Sequence, residues 1–343
     1  MPELPEVETV RLGLIRLIPG LKIKAVTNDN PKSFPNTEAD VKQFLIGSKI
    51  VGVRRRAKVL IIDLDTKYSL VIHLKMTGQL VFRGKESFGA GHPTSSLIGL
   101  LPDKSTRVVI CFEENERASE SESNARKNRS TEQDVQKYGD ASTRGSDKVG
   151  DQKHWQSFGL GSKSGQCGSA LFFNDQRKFG WMRLIPTLQI EELDFFKKVG
   201  PEPLSADFTS QVFIERLVRR KNSVIKAVLL DQTVLAGVGN IYADESLWGA
   251  KIHPSSRVFE IPKSKLKSLH AELLFVLKLA IEKGGSTDRN YVDAEGKKGS
   301  YMSFARVFRR ENQACPRCGS IIVKTRVAGR GTHTCPQCQK EPK

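Results

Sequence analysis

Four cysteines near the C-terminus carry the strongest chemical signal in the sequence. Cys315-Pro-Arg-Cys318 and Cys335-Pro-Gln-Cys338 are two C-x-x-C pairs separated by sixteen residues. Cysteines three apart on a tight turn present both thiolates to one ion, and two such turns at the ends of a hairpin complete a closed, tetrahedral zinc site. One structural zinc ion is expected, because a segment this short cannot build an independent apolar core. Disulfide pairing is the competing arrangement, and a reducing compartment disfavours it. Cys111 and Cys167 have no ligand spacing and read as ordinary core or loop thiols. The intervening hairpin carries Lys324, Arg326 and Arg330, and Arg306, Arg309 and Arg310 lead into it. Such a hairpin suits a groove lined with phosphates, and a solvated basic face is the plainer alternative.

The second chemical candidate is the start, Met1-Pro2-Glu3-Leu4-Pro5-Glu6-Val7-Glu8. Once an initiator Met is trimmed, Pro2 offers a secondary amine, and an α-amino group titrates near ~8, far below lysine at ~10.4. A free-base amine can attack an aldehyde-level carbon and form an iminium ion, which makes it a candidate covalent catalyst. Chemistry alone does not settle this, since Glu3, Glu6 and Glu8 also suit the first turn of any helix.

The elements that must position these groups fall into two kinds. Val7, Val10, Leu14 and Leu17 form one apolar face of a helix over 7–18, stopped by Pro19-Gly20. From about Ile50 to Phe82 the pattern becomes strand-like, with Val59–Leu64 and Ser69–Leu74 rich in aliphatic and β-branched residues and Asp65-Thr66-Lys67 as the turn between them. Arg107–Phe112 and Ala170–Phe173 are further strands, so this half reads as a β-sandwich with a leading helix. After Pro201-Glu202-Pro203 the period is helical over Phe213–Val218, Ile225–Leu230, Ala243–Trp248 and Lys265–Lys283. In the last of these, Leu266, Leu269, Leu273, Leu277 and Ile281 share one side. The expected fold class is α+β: a sandwich over 1–190, a linker over 191–204, a helical domain over 205–305 and a zinc finger over 306–343.

Composition narrows the partner. The chain has 343 residues, 55 Lys plus Arg against 38 Asp plus Glu, and a net charge of +17. Residues 113–166 hold ten acidic and nine basic groups and few aliphatics, which reads as a disordered insertion unable to offset its ordering entropy. The positive charge therefore lies elsewhere, including a local +7 over Arg306 to Lys343. That footprint points to a polyanion, nucleic acid first. No apolar run reaches the ~18–20 residues of a spanning helix. The start lacks the basic-then-apolar pattern of a secretory peptide, so a cytoplasmic protein without membrane contact is expected.

Longer motifs identify the partner further. MPELPEVETV, RRRAK ending at Lys58, HLKMTGQL around Met76, NDQRKFG, GPEPLS, LLDQTVLAGVGNIYADESLWGAKIHP, GGSTDRNYVDAEGKKG and the four-cysteine finger occur in this order. Together they resemble the bacterial formamidopyrimidine-DNA glycosylases, base-excision repair enzymes that remove 8-oxoguanine and ring-opened purines. The resemblance covers the chain outside 113–166. It implies that Pro2 attacks the sugar C1′ to give a Schiff base, that Glu3 transfers a proton at the sugar ring, and that Lys58 contacts phosphate and assists β-elimination. It assigns Arg330 to phosphates beside the lesion and to δ-elimination. Met76, Arg177 and Phe179 correspond to residues that fill the hole left by an extruded base, a task suited to a thioether, a guanidinium and a ring. The resemblance also implies that Lys178 is a neighbouring DNA contact, that Lys221 with Arg220 adds phosphate contacts, and that the GVGN segment is a helix-two-turn-helix element in which Asn240 and backbone amides hold phosphate. Asp293 to Gly299, with Lys297, matches a loop that covers the flipped base. Read without the resemblance, GVGN is only a tight turn between helices.

Damaged double-stranded DNA is thus the expected partner, and a monomer, nucleoid-associated in a bacterium, the expected state. Ser105 departs from the resemblance, standing where many members carry a DNA-contacting histidine. Ser255-Ser256 replace a more charged pair. The rivals are an endonuclease VIII-like lyase for oxidised pyrimidines, disfavoured by Leu4-Pro5-Glu6, and an inactive DNA-binding relative, disfavoured by Pro2, Glu3 and Lys58 together. Because the insertion holds none of these motifs, deleting 115–164 is expected to leave turnover on short duplexes nearly unchanged, and a large loss would make it part of the site.

Overall fold

The computed structural model describes residues 2–92, 94–113, 167–286 and 301–341. Most of the insertion expected to be disordered, and the loop carrying Lys297, lie outside these residues. The architecture is α+β. Helix α1 (Leu4–Leu17) begins where the Glu3 N–H donates to Glu6 Oε2 at 2.7 Å. It buries Val7, Val10 and Leu14 and ends at Gly20, which has φ +89°.

Among the described residues, nine strands form two antiparallel sheets. One has the order β2 (Ile50–Arg56), β3 (Val59–Leu64), β4 (Tyr68–His73), β9 (Trp181–Pro186). The other runs β1 (Ile23–Asn28), β7 (Thr106–Phe112), β8 (Ser169–Asp175), β5 (Gly78–Arg83), β6 (Ser87–Gly91). Their inner faces meet in a core that includes Leu60, Ile62, Leu70 and Ile72 from one sheet and Leu80, Val108, Ile110, Leu171 and Phe173 from the other. The apolar face of α1 joins the same core. The run Val59-Leu60-Ile61-Ile62 does not alternate because both faces of β3 are covered, the outer one by Ile190 and Phe196.

On the outer face of the second sheet, Leu97 and Leu101 cover Val81, Val109, Cys111 and Phe172. Here the structure corrects one expectation: Cys111 and Cys167 are joined in a disulfide, with Cα atoms 5.4 Å apart. Pairing of β7 with β8 sets Cys111 opposite Ala170, so the strand register brings together thiols that are 56 residues apart in sequence.

Helices α2 (Ser210–Val218), α3 (Ile225–Leu230), α4 (Asn240–Gly249) and α5 (Lys263–Glu282) form the second core. Thr209 caps α2 by accepting the Val212 N–H at 3.3 Å. In α5, Leu266, Leu269, Leu273 and Leu277 are buried as their spacing requires, with Ile281 half-buried. The C-terminal hairpin, β10 (Val323–Val327) and β11 (Arg330–Thr334), turns through Ala328 and Gly329, whose φ values of 50° and 73° suit a two-residue primed turn.

This hairpin is anchored to the helical core by a buried ion pair. Lys226 Nζ on α3 donates to Asp244 Oδ1 on α4 and to Thr332 Oγ1 on β11, each at 2.6 Å, and both charged side chains are fully buried. Asp244 Oδ2 accepts the His333 N–H at 3.0 Å. The next residue, Glu245, accepts the backbone N–H groups of Arg306, Val307 and Phe308 at 2.8 to 3.0 Å. Adjacent carboxylates on α4 thus fix both the approach to the finger and the hairpin itself. Removing one partner strands a charge without water, so Asp244→Ala is expected to cost about 3–5 kcal/mol. Urea unfolding at constant m-value measures it, and a loss under about 1 kcal/mol would show the pair to be no better than a surface contact.

Candidate functional site

The two halves meet at a cavity of about 610 Å³. Its lining includes Pro2, Glu3 and Glu6 from the N-terminus, Lys58 from the β2–β3 turn, Val238, Gly239 and Asn240 from the GVGN turn, and Arg330 from the hairpin. Met76, His92, Ser286, Met302, Phe308 and Arg309 complete much of the wall. Pro2, Glu3, Lys58 and, hundreds of positions further along the chain, Arg330 therefore share one space.

Close backbone approach makes this possible. The Leu4 N–H donates to Gly237 O at 3.0 Å, and Glu3 Oε1 accepts the Ile241 N–H at 3.2 Å. A Cβ on Gly239 would stand 2.1 Å from Glu3 Cδ, and one on Gly237, already at φ +78°, would stand 2.7 Å from Leu4 Cβ. The glycines of GVGN thus serve first to admit the N-terminal residues. Glu3 Oε2 is buried with no hydrogen-bond partner. Glu6 is tied on three sides: Oε2 accepts the Glu3 N–H, and Oε1 accepts the Tyr242 hydroxyl at 2.5 Å and the Ser286 N–H at 2.7 Å. Neither Glu6 nor Tyr242 is among the expected site residues; the i, i+3 relation of Glu3 and Glu6 is the signal the sequence offers.

Lys58 is held by its turn and by its tip. Its Nζ donates to Val238 O at 3.0 Å. Ala57, at φ 53°, donates its N–H to Glu202 Oε1 in the segment that links the halves. Arg55 donates to Glu202 Oε2 at 2.8 Å and to Glu8 Oε2 at 2.9 Å, and Arg56 donates to Glu202 Oε1 at 3.0 Å. Two of the three arginines before Lys58 therefore belong to a half-buried ion network around Glu202. The Arg55 and Arg11 guanidiniums, against the opposing effect of burial, hold the Glu8 carboxyl below the usual carboxylate range.

Burial dominates the electrostatics. It pushes the Glu3 carboxyl up to about 7, against the pull of Lys58 and with the push of Glu6. Burial also lowers the Lys58 ammonium, opposed by Glu3 and Glu6 and reinforced by Arg330. A carboxyl that titrates near neutrality can give and take a proton beside an amine at Pro2.

The remaining sequence candidates take different places. Met76 lies on the cavity rim, 37% exposed, and Phe179 is 54% exposed. The Arg177 guanidinium lies 4.9 Å from the centre of the Phe179 ring, and Lys178 occupies the exposed tip between them. Asn240 Nδ2 donates to Gly331 O at 2.9 Å, which ties the turn to the hairpin. Lys221 is exposed on the turn between α2 and α3, outside the cavity lining. Ser105 is buried, with Oγ donating to Asp103 Oδ1 at 2.6 Å, so it offers no side chain to the cleft.

The four finger cysteines have their sulfurs within 4.8 Å of one another, with Cys318–Cys335, Cys318–Cys338 and Cys315–Cys338 at 3.4, 3.5 and 4.0 Å. Tetrahedral zinc with bonds of about 2.3 Å needs sulfurs about 3.8 Å apart, so the set fits one ion. Among the described residues no other group of His, Cys, Asp and Glu could hold a metal. Nor is any described helix long and apolar enough to cross a membrane.

The Glu3 shift has a stability consequence. Folding raises its pKa from 4.5 to about 7, so its favourable contribution is complete below pH 4.5 and is lost as the pH rises to about 7. Glu3→Gln cannot titrate. Relative to the parent it is expected to gain stability across that window, on the order of 3 kcal/mol once complete. Urea unfolding on both sides of the window reads this, and a difference independent of pH would contradict it.

Comparison with known proteins bears on the whole chain. Residues 1–130 match the family described as the formamidopyrimidine-DNA glycosylase N-terminal domain, residues 199–291 its H2TH domain, and residues 312–340 the zinc finger found in FPG and IleRS. The formamidopyrimidine-DNA glycosylase of Streptococcus mutans is 36% identical over 342 residues, covering 99% of this chain and 100% of that protein. That of Pelotomaculum thermopropionicum is 34% identical, covering 99% of both chains. Among solved structures, Lactococcus lactis Fpg bound to DNA with an abasic site superposes with a TM-score of 0.73 at 32% identity, covering 99% of this chain and 100% of that one. A MutM complex with DNA containing carbocyclic 8-oxo-G gives a TM-score of 0.72 at 32% identity with the same coverage.

Proposed function

The chain belongs to the formamidopyrimidine-DNA glycosylase family, and from that premise we propose that it is a bifunctional DNA glycosylase and apurinic-site lyase that excises oxidised purines, 8-oxoguanine and formamidopyrimidines, from duplex DNA. The observation that carries this reading is the single cavity lined by Pro2, Glu3, Lys58 and Arg330.

With Met1 removed, the Pro2 nitrogen attacks C1′ of the damaged nucleoside. An N–C1′ bond forms, the bond to the base breaks with its electron pair leaving on the base, and the proton shed by the Pro2 nitrogen balances the one the base takes up. Ring opening at O4′ needs a proton, which Glu3 supplies, its raised pKa keeping a protonated fraction available near neutrality. The resulting iminium acidifies the neighbouring C2′ hydrogen, so β-elimination expels the 3′ phosphate, assisted by Lys58. Arg330, on the hairpin beside the cavity, stabilises phosphate through the second, δ-elimination.

The lesion reaches Pro2 only if it leaves the stack, at a cost of a few kcal/mol. Met76, Arg177 and Phe179 occupy the vacated space. Lys178, Lys221, the GVGN amides with Asn240, and Lys297 contribute DNA contacts. Zinc held by Cys315, Cys318, Cys335 and Cys338 would have a structural role, keeping the Arg330 hairpin rigid, and would supply no step of the reaction. The enzyme acts as a monomer, and much of its affinity comes from phosphate neutralisation, so binding falls steeply with salt.

Borohydride trapping on duplex containing 8-oxoguanine opposite cytosine tests the mechanism. A covalent adduct is expected with the mature enzyme and its loss with Pro2→Gly. No adduct in the parent, or a persistent one in the variant, would sink the proline mechanism. Faster excision of thymine glycol than of 8-oxoguanine would instead favour a pyrimidine-lesion enzyme.

A further inference from the structure

Met76 and the Arg177–Phe179 tip come from two separate loops, yet one side chain ties them together. Asp175, at the end of β8, is fully buried. Its Oδ1 accepts the hydroxyl of Thr77, the residue after Met76, and the Arg177 N–H at 3.2 Å. Its Oδ2 accepts the Gly180 N–H at 2.6 Å, which closes the tip from the other side. Thr77 completes the link, because its Oγ1 also accepts the Arg177 N–H at 3.1 Å. The residue in between, Lys178, has φ 58°, and Lys75 before Met76 has φ 51°. Both tips therefore hold a backbone form that L residues rarely adopt unaided.

The backbone of Asp175 is fixed in its turn. Its N–H donates to Ser105 O at 2.7 Å, and its carbonyl accepts from Arg107 Nε at 2.9 Å. The register pairs Asp175 with Gly78, so the carboxylate sits beside the Thr77 loop by construction of the sheet. A buried carboxylate with donors from two loops gives each of those loops a reason to stay in place only while the other does.

Resting on the glycosylase reading, we propose that Asp175 is a positioning residue that locks the Met76 loop and the Arg177–Phe179 loop into one rigid wedge, so that the duplex is entered by both or by neither. Asp175 touches no DNA in this role and acts through the loops.

The test uses full-length, zinc-loaded enzyme and single-turnover excision of 8-oxoguanine from duplex. Asp175→Asn replaces one acceptor oxygen by an amide donor, and Thr77→Val removes only the tie between loops. Each is expected to slow excision about tenfold, the worth of one buried charge-assisted hydrogen bond. The loss should shrink when the lesion stands opposite an abasic position, where less stacking must be broken. In the parent background, Met76→Ala combined with Phe179→Ala should cost little more than either alone, and in Asp175→Asn the two effects should multiply.

Parental excision by Thr77→Val, an equal loss on both substrates, or unchanged coupling in Asp175→Asn would overturn the proposal. Should Asp175→Asn fail to fold, Thr77→Val carries the same comparison. Borohydride adducts on a pre-formed abasic site separate the two levels: absence of an adduct in the parent overturns the glycosylase reading, whereas adducts in the parent and both variants leave the wedge alone under test.

Discussion

The structure depends on one close approach, that of the first residues of the chain to the GVGN turn. Leu4 and Gly237 share a backbone hydrogen bond, Glu3 meets the first turn of α4, and Lys58 reaches Val238 O beside them. These contacts hold the sandwich and the helical half face to face. They also place Pro2, the Glu3 carboxyl and the Lys58 side chain in one cavity. The room for them exists because Gly237 and Gly239 carry no side chains.

Around that joint, buried or half-buried charge recurs as a positioning device. Glu202 clasps the turn before Lys58, Asp244 with Lys226 and Glu245 anchors the finger, and Asp175 joins the loop after Met76 to the loop of Arg177 and Phe179. Each carboxylate accepts from several donors, a condition under which a buried charge is tolerable. The arrangement trades stability for geometry at the places where a misplacement of an ångström would matter most.

Not all of this was legible beforehand. The helix at the start, the zinc ligands, the β3–β4 turn and the apolar stripe of α5 follow local periodicity or spacing, and the structure keeps them with ends shifted by a few residues. Strands β1 and β9 pair with the distant segments β7 and β4, so no local hairpin pattern marks them, and β6, although it hairpins onto β5, is short and carries two glycines. The run of arginines before Lys58 does not show that Arg55 and Arg56 pair with Glu202, and the Cys111–Cys167 pairing is hidden by its long separation.

The sequence by itself determined the chemistry on offer: a proline next to Glu3, a lysine after three arginines, a four-thiolate finger and a basic surplus outside 113–166. Residue types set these through intrinsic pKa, ligand softness and charge, all properties of short stretches of chain. The tertiary structure decided which of them meet, and in what protonation state. Only folding removes water from Glu3 and raises its pKa towards neutrality. Only sheet register brings Asp175 beside Thr77. Desolvation and long-range pairing are properties of the packed chain, and no local pattern encodes them.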